Sequence, residues 1–108
     1  MEKSKMNTIT ILGAGKLGQA IARGLVHSGK FNPTNITLTR RSLSDLETFL
    51  DQGFHITVDN PSAVETADLV LLTVGPNDVE SVLEEIKNSL KPEKQILASS
   101  VTGVSIER

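Results

Sequence analysis

Three glycines, Gly13, Gly15 and Gly18, stand in the spacing G-x-G-x-x-G within Gly13-Ala14-Gly15-Lys16-Leu17-Gly18. That spacing suits one task, the cradling of a pyrophosphate against the main chain. The first glycine permits a tight turn. The second has no Cβ, so a phosphate can approach the backbone. The third lets the following helix lie close to the sheet. The N–H groups of the first helical turn lack internal partners and sit at the positive end of the helix dipole, so they attract anions. The pattern also occurs in strand–helix turns that hold nothing, and its context distinguishes the cases: a strand must precede it and a helix must follow. Both are expected here. Residues 8–12 (TITIL) form a β-branched run, and residues 16–28 carry Leu17, Ile21 and Leu25 at four-residue spacing up to Gly29, where a helix stops.

A second group lies about 20 residues beyond the glycines, where a site for a free ribose 2′-hydroxyl carries Asp or Glu. This chain has Thr39-Arg40-Arg41-Ser42 there. Two guanidiniums and a hydroxyl, with no carboxylate among them, suit the 2′-phosphate of NADP (NADPH). The other reading is two solvated loop arginines. Remaining polar groups suggest less. His27 and His55 lie near no carboxylate or metal-ligand spacing and read as structural or surface groups. Glu80, Glu84, Glu85, Lys87 and Lys91 read as a solvated helix face with helix-spaced charge pairs. No Ser/His/Asp nucleophile and no metal site are apparent, so the residues themselves assign no catalytic side chain.

These residues need a sheet to hold them. Residues 36–39 (ITLT) read as a second strand after the turn signal Asn32-Pro33. Leu43, Leu46, Phe49 and Leu50 mark a second helix ending near Gly53, and residues 55–58 a short third strand. Asn60-Pro61 has the form of an N-cap followed by proline at the first helical position, opening a helix that runs to Ala67. Residues 69–74 (LVLLTV) are nearly all apolar, as a central strand buried on both faces should be. Val79, Val82, Leu83, Ile86 and Leu90 give a fourth helix ending before Pro92, a fifth strand begins at residues 95–98, and 99–105 form a loop in which Ser105 caps a further helix start. Strict alternation with right-handed crossovers predicts an α/β fold: a Rossmann-type doubly wound parallel sheet of order 3-2-1-4-5 with helices on both faces. Ligands bind such sheets where the strand order reverses, at the C-terminal ends of the first and fourth strands.

The chain's 108 residues make one domain, residues 1–108. A net charge of −2 calls for neither nucleic acid nor a membrane surface, and the absence of Trp and Tyr removes an aromatic platform for single strands. The absence of Cys excludes disulfides and thiolate metal sites and is compatible with a reducing cytosol, hence the expectation of a cytoplasmic protein. The polar start Met1-Glu2-Lys3-Ser4-Lys5-Met6 lacks a signal-peptide core, and no run approaches the roughly 20 apolar residues that span a bilayer.

Between residues 8 and 107 the chain resembles the N-terminal, NADP-binding domain of pyrroline-5-carboxylate reductases. The matching pieces are Ile11 to Gly15, AIARGL at 20–25, Asp59-Asn60 with Ala63-Val64, ADLVLLTV at 67–74, VLEEIK at 82–87 and GVSIE at 103–107. The resemblance implies reduction of the C=N bond of 1-pyrroline-5-carboxylate to L-proline with NADPH, the partners being the dinucleotide cofactor and, in the full-length protein, a small imine substrate. It implies that Leu12, Gly13, Ala14, Gly15, Lys16 and Leu17, with Gly18 behind them, lie along the pyrophosphate. Arg40, Arg41 and Ser42 then face the 2′-phosphate, and Asn60 the adenine end, beside or in place of its capping role. Thr73, Val74, Gly75, Pro76, Ser100, Val101 and Thr102 line the nicotinamide end. The family reads Val-Lys-Pro where this chain has Val74-Gly75-Pro76, Ala-Ala-Gly-Val where it has Val101 to Val104, and Asn or Gln where it has Lys16. These departures fall on the cofactor and substrate side rather than in the core. The family's C-terminal helical domain, which forms a homo-oligomer and most of the substrate pocket, has no counterpart here, so an isolated chain is expected to be inactive. Two other readings fit the same residues: another NADP-linked reductase, such as a deazaflavin-dependent NADP oxidoreductase, and a non-catalytic nucleotide-sensing protein.

Overall fold

Ile9–Leu12 is buried throughout, which only a strand with neighbours on both edges and both faces can achieve. This strand, β1, is the centre of the sheet in a computed structural model that describes residues 7–91 and 93–99. Around it stand α1 (Lys16–His27), β2 (Ile36–Thr39), α2 (Glu47–Asp51), β3 (His55–Thr57), α3 (Asn60–Glu65), β4 (Leu69–Leu72), α4 (Val79–Ile86) and β5 (Ile96–Ser99). The order is β3-β2-β1-β4-β5, and every pairing is parallel, as the alternation of elements predicts. Ile9 sits opposite both Ile36 and Leu69.

Alternate residues of the strands feed two apolar layers. Ile9, Ile11, Ile36 and Leu38 pack with Ala22 of α1 and Phe49 of α2. Leu12, Val70 and Leu72 pack with Val64 of α3 and with Val79, Val82 and Ile86 of α4. Thr10, buried on the second face, is tolerated because its hydroxyl donates to the Ala63 carbonyl at 2.7 Å. Asp68 ties the start of the sheet: its carboxylate accepts from the N–H groups of Asn7 and Thr8 at 2.8 and 3.1 Å.

Several elements differ from the sequence expectation. α1 turns Gly18, Ile21, Ala22 and Leu25 toward the sheet and leaves Leu17 51% exposed, because the buried stripe starts one residue later than the four-residue spacing suggests. Residues 43–50 do not make one helix: a 3-10 turn, Leu43–Leu46, precedes the short α2, and Leu50 lies outside the core. The cap of α3 is Asp59 rather than Asn60; its carboxylate accepts from the Ser62 N–H at 3.1 Å, which moves Asn60 to the first helical position and frees its amide. α3 ends at Glu65 and α4 at Ile86, short of Ala67 and Leu90. β4 ends at Leu72, and it is not buried on both faces: Val70 and Leu72 are buried while Leu69 and Leu71 are half-buried. Ser105 lies outside the described residues. Among the described residues no helix is long and apolar enough to cross a membrane, and no His/Cys/Asp/Glu group could hold a metal ion.

Candidate functional site

The turn after β1 is built by Gly13, whose φ of +74° suits glycine, and whose absent Cβ leaves room for the side chain of Val74. Two crossing bonds pin the turn to β2: the Gly13 N–H donates to Thr39 Oγ1 at 3.1 Å and the Ala14 N–H to the Thr39 carbonyl at 2.7 Å. Gly15 caps α1 with an ordinary φ of −82° and no side-chain bond, and a Cβ built on it meets nothing within 4 Å. The first-turn N–H groups of a 12-residue helix therefore face open space, with no acid in that turn to occupy them. Gly18 does the packing work expected of it: a Cβ there lies 2.7 Å from Thr73 Oγ1 and 3.0 Å from Ile11 Cγ2.

Thr73 closes the other side. Leaving β4, its hydroxyl donates within reach of the Leu12 and Gly13 carbonyls at 3.0 and 3.1 Å, and its N–H donates to Leu12 at 3.0 Å. Thr73 and Val74 lie beyond the end of β4, against the glycine turn. A groove of about 450 Å³ opens across the C-terminal ends of β1, β2 and β4, where the strand order reverses.

Of the expected site residues, Gly13, Gly15, Arg40, Arg41, Asn60, Thr73, Val74 and Gly75 line this groove. Leu12 and Ala14 are fully buried beneath it and present main-chain atoms to the turn. Gly18 is a packing position, Lys16 and Leu17 are exposed at the start of α1, and Pro76 is exposed in the 3-10 turn Pro76–Asp78 before α4. Ser42 is exposed beyond the lip, its hydroxyl 2.9 Å from that of Ser44. Ser100, Val101 and Thr102 lie outside the described residues.

The two arginines behave differently. Arg40 folds inward, donating from Nη1 to the Ala14 carbonyl at 3.2 Å, so its guanidinium rests on the glycine turn. Arg41 extends outward with its side chain 92% exposed. The expectation that no carboxylate stands beside them is overturned by the fold. The 3-10 turn brings Asp45 to 3.5 Å from Arg40, and the segment after β4 brings Asp78 to 3.6 Å from Arg41. Both pairs are solvated and therefore weak, worth about 0–1 kcal/mol each. Glu85 is exposed, as expected of that face, and it also lines the groove, where its Oε1 accepts from Asn60 Nδ2 at 3.1 Å. Thr39, Val58, Asp78, Ser81 and Val82 complete the lining. Sequence spacing could have marked Thr39, the last residue before the arginines. The α4 residues carry no local signal, because their facing is set by how α4 lies against α3.

The model of the family described as NADP oxidoreductase, coenzyme F420-dependent, matches residues 8–102. Pyrroline-5-carboxylate reductase 1 of Dictyostelium discoideum is 42% identical over 101 residues, 94% of this chain and 18% of that protein. The reductase of Corynebacterium melassecola is 35% identical over 104 residues, 94% of this chain and 38% of that protein. The chain thus spans well under half the length of these curated relatives. Among solved structures, a pyrroline-5-carboxylate reductase from Coxiella burnetii superposes with a TM-score of 0.85 at 34% identity, over 94% of this chain and 37% of that one. The Plasmodium falciparum enzyme, solved with NADP bound, has a TM-score of 0.78 at 22% identity over 94% of this chain and 37% of that one, a likeness of fold.

Proposed function

Since the chain belongs to the family described as NADP oxidoreductase, coenzyme F420-dependent, we propose that its groove holds NADP(H) and that it is the cofactor domain of an imine reductase of the pyrroline-5-carboxylate reductase kind. The observation that carries this reading is the open space over Gly15 at an uncapped helix N-terminus, with Arg40 and Arg41 on the rim of the same groove. A pyrophosphate has bulk and charge matched to the first feature, and a 2′-phosphate has charge matched to the second. When bound, NADPH would supply the hydride that reduces the C=N bond of 1-pyrroline-5-carboxylate to L-proline.

This chain's residues bind and orient. The Gly13–Gly15 turn and the N-terminus of α1 take the pyrophosphate, with Leu12, Ala14, Lys16 and Leu17 supplying its surroundings and Gly18 keeping α1 close. Arg40, Arg41 and Ser42 take the 2′-phosphate, and Asn60 the adenine end. Thr73 to Pro76, with Ser100, Val101 and Thr102, take the nicotinamide end. The small imine, the homo-oligomer and the cytoplasmic setting are proposed for the whole protein, in which residues beyond this domain hold the substrate.

Titration of the chain with NADPH and NADH, followed by nicotinamide fluorescence, tests the reading. A charge-assisted bond to phosphate contributes about 1.5–3 kcal/mol, and a half-exposed site argues for the low end. NADPH is therefore expected to bind about tenfold to thirtyfold more tightly than NADH, and added salt to narrow the gap. A preference for NADH would refute the assignment of the arginines, and no binding of either would refute the site.

A further inference from the structure

Gln19 stands one turn into α1, is half-buried, and has no part in the reading above. Its amide reaches back along the helix and donates from Nε2 to the Ala14 carbonyl at 3.1 Å. That bond completes the pairing of the glycine turn. The Gly13 N–H donates to Thr39 Oγ1, and the Gly13 carbonyl accepts from the Gly15 N–H and from Thr73 Oγ1. The Ala14 N–H donates to the Thr39 carbonyl, and the Gly15 carbonyl accepts from the Gln19 N–H. Every polar main-chain group of Gly13, Ala14 and Gly15 is thus engaged, and the N–H groups left for an anion are those at the start of α1.

The Ala14 carbonyl differs from the rest in depending on two long side chains, Gln19 and Arg40. Ala14 is fully buried, so its carbonyl needs protein donors. Gly15 adds freedom, because no Cβ restricts rotation of the Ala14–Gly15 peptide. An unpaired carbonyl would turn that peptide toward water, and the N–H groups at the start of α1 would lose their aim. Arg40 is a shared donor: Asp45 lies 3.5 Å from it, and the 2′-phosphate draws on it in the NADP reading. The Gln19 amide has no other partner among the described residues.

We propose that Gln19 is a positioning residue of the pyrophosphate turn: it holds the Ala14–Gly15 peptide in place, so that α1 presents its first N–H groups to the pyrophosphate. This rests on the NADP reading of the groove. The competing account is that Gln19 only satisfies a carbonyl, and that the turn keeps its form without it.

The experiment measures NADPH and NADH by nicotinamide fluorescence in wild type and Gln19→Met. Adenosine 2′-monophosphate, which carries the 2′-phosphate without the pyrophosphate, is measured by its displacement of NADPH. Methionine has nearly the length and helix propensity of glutamine but no N–H donor. Both dinucleotides are expected to weaken by about threefold to tenfold, the equivalent of one hydrogen bond, with their ratio kept. The mononucleotide should bind the variant as it binds wild type, which a general loosening of the groove would not allow. A cooperative thermal transition in both proteins shows the variant folded. Unchanged dinucleotide affinity, a loss confined to one dinucleotide, or a loss shared by the mononucleotide overturns the proposal. Failure of wild type to bind NADPH at all overturns the NADP reading, and this proposal with it.

Discussion

At Gly15 the backbone is unstrained and the space above it is open, so a side chain there should harm binding without harming the fold. Gly15→Val is expected to abolish dinucleotide binding while the protein melts within about 1 kcal/mol of wild type, since helix-edge substitutions away from packed atoms are mild. Retained affinity in the folded variant would remove the turn from the site. Gly18 predicts the opposite outcome. Alanine there gains up to about 1 kcal/mol of helix propensity, but its methyl meets Ile11 and the Thr73 hydroxyl, which is engaged with Leu12 and Gly13. Overpacking costs about 1–3 kcal/mol, and moving Thr73 strains two hydrogen bonds, so Gly18→Ala should lower stability by about 1–2 kcal/mol in denaturant unfolding. An equal or higher midpoint would mean that α1 can retreat from the sheet. Both glycines were legible as a spacing, but their different duties depend on which of them faces the sheet.

Elements deliver charge to the groove that adjacent residues in the chain do not. Strand β2 ends at Thr39 and presents Arg40 and Arg41; the segment after β4 presents Asp78 opposite Arg41. Asp78 and a 2′-phosphate would compete for the same guanidinium. Asp78→Asn is expected to tighten NADPH twofold to threefold, the equivalent of an exposed ion pair of about 0.5 kcal/mol, with NADH nearly unchanged. Weaker NADPH binding in that variant would assign Asp78 to the ribose instead. Replacing Arg40 and Arg41 together with Ala should bring NADPH down to the affinity of NADH; equal losses for both cofactors would mean that the arginines do not read the phosphate. The short α3 offers a stability test, since six residues rest on one side-chain cap. Asp59→Ala should cost about 1 kcal/mol in chemical denaturation, whereas Asn60→Ala should not reproduce that loss through capping.

Across the described residues, β1, β2 and β4 bring the glycine turn, Thr73 and the rim arginines to one end of the sheet, around an open groove. Positioning of two reactants accounts for about 7–11 kcal/mol of a barrier in the best cases. The 108-residue chain is therefore expected to bind NADPH yet show no oxidation of NADPH dependent on 1-pyrroline-5-carboxylate. Steady turnover by the chain alone, monitored by loss of nicotinamide absorbance, would show that this domain holds its own substrate. The curated relatives extend far beyond the matched residues.

Local patterning determined the parallel sheet, its order and the position of the glycine turn. Periodicity distinguishes strand from helix, and right-handed crossovers leave few ways to wind five alternating units. The glycine spacing and the arginines after β2 were equally readable, because both sit within one βαβ unit. Only the tertiary structure decided what crosses the groove. Asp45 and Asp78 approach the arginines, Thr73 leaves β4 to bond the glycine turn, and Glu85 reaches the Asn60 amide from a helix 25 residues away. Asp59 took the cap from Asn60 for the same reason: both can cap, and the choice depends on what else the Asn60 amide can reach. Periodicity says which residues share a face of an element; the rotation of that element against its neighbours, set by packing, says what the face meets.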